Sequence, residues 1–234
     1  MTKHHRLGIQ VLTTLWLLFF GSGTALALLD NGVDPRHLGK GDWIWQMSAM
    51  EANIGVSSVQ AVVDFEKAHG MQFLIVKCSD GGQWGSSYWP QFNSDLITRC
   101  HAAGIKIFAF GYVYGSYYGS GQVAAEINAA VGCMGVKDSS GVPMDGFMID
   151  AEIEYNGRPN DALTYCQGIR AQYPTRFLAH SPYPVPSYNV DFPYIEFGKY
   201  CDAVFTQDYW YDQFSGSGGK TPTAMLIRSN RVTR

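Results

Sequence analysis

Three acidic side chains alternate along one short stretch of this chain. Asp150, Glu152 and Glu154 lie in the segment Asp145-Gly146-Phe147-Met148-Ile149-Asp150-Ala151-Glu152-Ile153-Glu154-Tyr155. In extended backbone, residues two apart point to one face, about 6.6 Å apart along the strand. Three carboxylates so placed repel one another, and at least one must keep its proton to a higher pH than a free carboxyl does. A protonated carboxyl beside an ionised one can cleave a glycosidic bond: one gives a proton to the leaving oxygen, the other stabilises positive charge developing on the sugar. Glu152 is the expected general acid, because it ends an apolar run and has an acid on either side. Asp150 is the expected stabilising carboxylate. The plain alternative is a solvated strand end or a cation site.

Comparable clusters follow other apolar runs. They are Lys77 with Asp80, Tyr112 with Tyr114, His180 with Tyr183, and Gln207 with Tyr209 and Trp210. Of these, Lys77, Asp80, Tyr112, His180, Gln207, Tyr209 and Trp210, together with Trp45, Gln46 and Glu154, make the expected substrate-binding set. Lys77 can pair with the acids and hold one ionised, or it can simply extend its charge to the surface. His180 can contact substrate or be a hydrogen-bonded structural histidine. Trp84, Trp89 and Trp210 offer flat faces on which a sugar ring could stack, or they pack as ordinary aromatics. No metal-ligand spacing occurs, the six histidines do not cluster, and no cofactor is implied.

The elements that must position these residues are short Val-, Ile- and Phe-rich runs alternating with amphipathic stretches. Six strands are predicted: 43–47, 73–77, 106–112, 147–150, 176–180 and 203–207. Between them, apolar stripes mark helices. Val56, Val59, Val62 and Val63 form the first, and Phe92, Leu96, Ile97 and Cys100 the second, which Gly104 closes. Val123, Ile127, Ala130, Val131 and Met134 form the third, and Ala162, Cys166, Ile169 and Tyr173 the fourth. A short helix is expected near 194–200, and Thr221-Pro222 reads as a further helix start. Apolar strands alternating with helices mean a parallel sheet. No G-x-G-x-x-G follows the first strand, so a dinucleotide fold has no support. Polar and aromatic residues gathered after successive strands point to the active face of a (β/α)8-type TIM barrel. Six βα units are counted where a closed barrel has eight, so the expectation is an incomplete barrel, cut short at its C-terminus.

The chain has 234 residues, 46% of them hydrophobic, with 16% charged and a formal net charge of −3. That suffices for one domain with a sizeable core and gives no basic face for nucleic acid. Residues 1–27 read as a signal peptide: a basic start at Lys3 to Arg6, an apolar run, and Ala25-Leu26-Ala27 as a cleavage site. The expectation is a mature domain over 28–234, secreted or periplasmic, with no membrane attachment after cleavage. The five cysteines contain no C-x-x-C pair, and their odd number leaves at least one thiol free.

The D-x-E that ends the fourth strand resembles that of the family 25 glycoside hydrolases, the lysozyme-like muramidases. Trp45-Gln46, Lys77 through Asp80-Gly81, and Phe110-Gly111-Tyr112 are similar to their strand-end pattern, and Gln207-Asp208-Tyr209-Trp210 resembles a late-strand segment of related bacterial barrels. The resemblance covers about residues 40–212. It implies cleavage of peptidoglycan glycan, with Glu152 as general acid and Asp150 stabilising the transition state or orienting the substrate's N-acetyl group. The family's strand-one Asp lies five residues before the Gln, whereas Asp42 lies four before Gln46. A second pattern, Asp145-Gly146-x-x-x-Asp150-x-Glu152, resembles the family 18 chitinase signature, with Met148 where a middle Asp belongs. The competing readings are a family 18 chitinase-like enzyme and a non-catalytic carbohydrate-binding barrel. The expected partner in each case is a polysaccharide.

Overall fold

The structure is a computed structural model that describes residues 32–207. The signal-peptide reading, Tyr209, Trp210 and the helix start at Thr221-Pro222 lie outside the described residues. Seven strands are described: β1 (Gly41–Ile44), β2 (Phe73–Asp80), β3 (Gln83–Trp84), β4 (Lys106–Val113), β5 (Gly146–Ala151), β6 (Phe177–His180) and β7 (Ala203–Val204). The helices are α1 (Met47–Ile54), α2 (Val59–Ala68), α3 (Ser94–Ala103), α4 (Gln122–Met134), α5 (Pro159–Gln172) and α6 (Tyr194–Gly198). Six strands pair in parallel in the order β1-β2-β4-β5-β6-β7, and β3 folds back antiparallel on β2. The sheet curls into a half-barrel with helices outside, the α/β class expected, with six strands of a TIM barrel in place among the described residues.

Strand alternation divides the core in two. Residues such as Leu74, Val76, Ile107, Ala109, Phe147, Ile149 and Leu178 meet the helices. Phe73, Ile75, Phe108, Phe110, Met148, Phe177 and Ala179 fill the concave side, with Trp43 and Phe205 packed against them. Helix ends follow their sequence signals. Ser58 and Asn93 cap α2 and α3 by accepting from Ala61 N and Leu96 N. Gly104 ends α3 at φ 70°, a left-handed conformation that costs glycine nothing. The first strand differs from expectation. It starts earlier, at Gly41, and Met47 opens a helix, because the Trp-Ile-Trp-Gln-Met run continues past the point where the backbone leaves the sheet.

Cys78 turns outward from β2 and forms a disulfide with Cys133 of α4 across 55 positions of sequence. Cys100 and Cys166 remain buried thiols, and Cys201 a partly buried one.

Asp42 alternates with Trp43, whose ring packs on Phe110 on the concave side, so Asp42 faces α2 rather than the strand-end cleft. There it meets Glu66, which is 1% exposed. Burial, then the charge of Asp42, push the Glu66 carboxyl up to about 7, against weaker opposite pulls from His69 and Lys40. A carboxyl in unfolded chain titrates near 4.3. The folded value is the higher one, so the stability Glu66 contributes is full below about 4.3 and is lost as pH rises through about 7. Thermal melts should therefore show Glu66→Gln more stable than the parent at pH 8, with the gap closing by pH 5. A variant less stable than the parent at pH 8 would contradict this account of Glu66.

Candidate active site

Parallel register brings the candidate residues into rows across the C-terminal ends of the strands. Asp80 of β2 lies opposite Tyr112 of β4, which lies opposite Asp150 of β5. One step deeper, Lys77, Phe110 and Met148 form the next row. Asp80 reaches its row through a bulge. The β2–β4 register slips between Lys77 and Ser79, so Lys77 and Asp80, three apart, both face the concave side, while Cys78 turns outward to its disulfide. Lys77 Nζ then donates to Asp80 Oδ2 at 2.6 Å, and the Tyr114 hydroxyl donates to Asp80 Oδ1 at 2.6 Å.

At the end of β5 the chain stops being extended. Asp150 is the last inward residue of the strand, Glu152 follows it, and Ile153–Tyr155 form a turn of 3-10 helix. The predicted alternation thus holds for Asp150 and Glu152 and breaks at Glu154. The turn buries Tyr155 against Phe197 and lets its hydroxyl donate to Glu126. Glu154 still reaches the cleft, where it accepts from the Tyr112 hydroxyl at 2.9 Å. The side-chain amide of Gln207 donates to Asp150 Oδ1 at 3.0 Å, to Glu152 Oε1 at 3.2 Å and to the Ser181 carbonyl at 3.1 Å. Tyr183 donates its hydroxyl to Glu152 Oε2 at 3.3 Å.

Burial first, then the negative charge of Glu152, push the Asp150 carboxyl up to about 7. Lys77 pulls it down, and Asp80 and Glu154 add to the rise. Asp150 sits on the strand itself, behind Glu152. The acids also raise the phenols around them. Tyr112 and Tyr114 are shifted well upward, by burial first, and Tyr183 is pushed up to about 12 by burial and Glu152. All three therefore donate hydrogen bonds at neutral pH. Among the described residues, no group of three or more His, Cys, Asp or Glu side chains is placed to hold a metal ion, and no helix is long and apolar enough to cross a membrane.

No protein-family model matches the chain, and no curated protein matches it in sequence. Solved structures match in shape. The spore cortex-lytic enzyme SleL of Bacillus cereus aligns over 82% of this chain with a TM-score of 0.53 and 11% identity. A chitinase from Trichuris suis aligns over 82% with a TM-score of 0.51 and 14% identity. An endo-beta-N-acetylglucosaminidase from Cordyceps militaris aligns over 83% with a TM-score of 0.51 and 14% identity. The fold is that of a (β/α) barrel. This chain spans 48%, 61% and 62% of those three chains respectively.

Within this half-barrel, Asp150, Glu152, Glu154, Asp80, Lys77, Tyr112 and Gln207 come together at one end of the sheet. Trp45, 57% exposed, stands over the same end with its ring 5.9 Å from Lys77 Nζ. Gln46 is exposed where α1 begins. His180 is a correction. It is 2% exposed, pairs in register with Ile149 and packs on Phe197 of α6, so it faces the helix layer and not the cleft. Burial pushes its imidazole down to about 4, which makes it a neutral core histidine. Trp84 lies flat on Gly132 of α4, where a Cβ would come within 2.3 Å of its ring, so it packs rather than faces the cleft. Trp89 lies 4.5 Å from Lys77 Nζ.

Two supporting residues escaped the sequence reading. Gln91 donates to the carbonyls of Trp45 and Lys77 and accepts from Met47 N, tying the ends of β1 and β2 together. Glu126 accepts from Tyr114 N and Gly115 N and from the Tyr155 hydroxyl, fixing the loop that carries Tyr117 and Tyr118, and burial pushes its carboxyl up to about 7. Glu126 has a readable signal: it is an acid on the buried stripe of α4, between Val123 and Ala130. Gln91 has none.

Proposed function

We propose that this site hydrolyses glycosidic bonds in an N-acetylated polysaccharide of the peptidoglycan or chitin type. Glu152 is the proton donor and Asp150 the carboxylate that stabilises the developing positive charge or orients the N-acetyl group. The observation that carries the reading is the pair itself: two carboxyls bridged by the Gln207 amide at the C-terminal end of a barrel strand, one of them raised to about 7. Near neutral pH the pair keeps one proton. Asp150 holds that proton in the free protein; passing it to Glu152, the outer member that can reach a leaving oxygen, leaves Asp150 ionised to stabilise the positive charge. Gln207 and Tyr183 fix the geometry of Glu152, so little reorganisation accompanies proton transfer.

Several further features support the same reading. Trp45, Tyr117 and Tyr118 are exposed and offer rings for the apolar faces of sugars. The resemblance to family 25 favours peptidoglycan. The family 18 pattern favours chitin, although Met148 is fully buried in the concave core in place of that pattern's middle Asp. The chitinase, the endo-beta-N-acetylglucosaminidase and the cortex-lytic enzyme that share the fold agree with a glycan substrate. A Cys78–Cys133 disulfide suits the secreted or periplasmic location that residues 1–27 suggest.

The test is release of new reducing ends from purified peptidoglycan, colloidal chitin and starch in parallel. Release is expected from peptidoglycan or chitin and not from starch; release from neither N-acetylated polymer would overturn the proposal. Because the pair loses its last proton as pH rises through about 7, kcat/KM should fall on the alkaline side with a midpoint near 7. A rate still rising between pH 7 and 9 would exclude Asp150 and Glu152 as the proton-holding pair.

A further inference from the structure

The Cys78–Cys133 disulfide leaves Cys100, Cys166 and Cys201 as thiols. Two of these three are brought together. Cys166 lies on the buried stripe of α5 and is fully enclosed. Arg170 follows it by one turn, on the same side of the helix. Its guanidinium donates from Nε and Nη2 to the Tyr200 carbonyl at 2.9 and 2.6 Å, and from Nη2 to Asp202 Oδ2 at 2.8 Å. Gln167 Nε2 donates to the Tyr200 hydroxyl at 2.8 Å. Helix α5 thus grips both residues that flank Cys201.

The same segment is held from its other side. Asp202 N donates to the Leu178 carbonyl at 2.7 Å, and Leu178 N donates to Asp202 Oδ2 at 2.9 Å. Cys201 N donates to the Phe197 carbonyl at 3.0 Å, at the end of α6. Within this frame Cys201 packs on the core that contains Cys166, and the two thiols are hydrogen-bonded to each other. Cys100 sits elsewhere, on α3, which packs on α2 and β4, whereas α5 packs on α4 and α6.

We propose that Cys166 and Cys201 are a second disulfide site, closed by a small-molecule disulfide such as oxidised glutathione, which staples α5 to the segment leading into β7. The step is thiol–disulfide exchange. Cys201, the partly buried member, attacks one sulfur of the oxidant as its thiolate and releases one small thiol. Cys166 then attacks the Cys201 sulfur of the mixed disulfide, and the second small thiol leaves. The two cysteines give up two electrons and two protons, and the oxidant takes up both to become two thiols. In the folded chain the bond to Cys166, then burial, hold the Cys201 proton in place, so closure belongs to folding, while both sulfurs still meet solvent. The Cys78–Cys133 bond needs the same oxidising surroundings. The staple anchors residues 201–207, the last of which bridges Asp150 and Glu152, without touching either acid.

The test is independent of glycan hydrolysis. The full chain is reduced in denaturant, refolded in mixed reduced and oxidised glutathione, quenched in acid, and weighed whole and, after alkylation, as a digest. The refolded chain should be four hydrogens lighter than the reduced one, two for each bond. Cys166 and Cys201 should appear in one linked peptide pair, with alkylation at Cys100 alone. Alkylation of both Cys166 and Cys201 in protein that has closed Cys78–Cys133 would overturn the proposal, as would a lasting glutathione adduct on either or a link from either to Cys100. If refolding fails, protein exported to an oxidising compartment and alkylated on harvest decides. The same linked pair is expected there, and alkylation at both cysteines would overturn it.

Discussion

Glu152→Gln should lower turnover on a soluble N-acetylated glycan by about 10²–10⁴-fold, the range that a general acid contributes. The melting temperature should hardly move, because Glu152 is partly exposed and the glutamine can still accept from Tyr183 and Gln207. Asp150→Asn should also impair turnover, through loss of the stabilising charge. Glu154→Gln should matter least: its carboxyl sits beyond the strand, on a 3-10 turn, and its partner is the Tyr112 hydroxyl. Rates of the three variants, with melts beside them, rank the acids. A dead Glu154→Gln beside an active Glu152→Gln would place the acid one position along. Three active variants would mean that the strand carries no chemistry.

The second large effect concerns Cys78 and Cys133. Their disulfide closes a loop of 55 residues, and loop-closure entropy for that length amounts to about 4 kcal/mol at 25 °C. The double variant Cys78→Ala, Cys133→Ala should lose stability of that order in denaturant unfolding. It should lose activity earlier on heating as well, because the bond ties β2 at its bulge to α4. A loss under about 1 kcal/mol would show that the packing between β2 and α4 holds this region without the bond.

The rhythm of strands and helices was legible because each buried strand is a continuous apolar run, which leaves little room for another assignment. The cleft was legible because parallel strands present their C-terminal ends together. Gln207 is the clearest case: it closes the last predicted apolar run, and although β7 itself ends at Val204 it bridges the two central acids. What could not be read was direction within a strand. Phe177-Leu178-Ala179-His180 gives no sign of which alternate residues face the concave side, and His180 proved to face the helices. The bulge at Cys78 has no sequence signature either, yet without it Asp80 would point away from the cleft. Alternation of acids predicts an extended Glu154 but says nothing of the 3-10 turn that buries Tyr155. Two acids on apolar helix stripes, Glu66 and Glu126, were visible in principle: each breaks a run of buried positions, and each is raised to about 7.

Catalysis and simple glycan binding are separated most directly by following one soluble N-acetylglucosamine oligomer with the parent and Glu152→Gln side by side, scoring reducing-end release and binding in the same samples. The account predicts release by the parent, a fall of about 10²–10⁴-fold in the variant, and binding retained by both. Binding by both proteins with release by neither would contradict it and leave a carbohydrate-binding barrel.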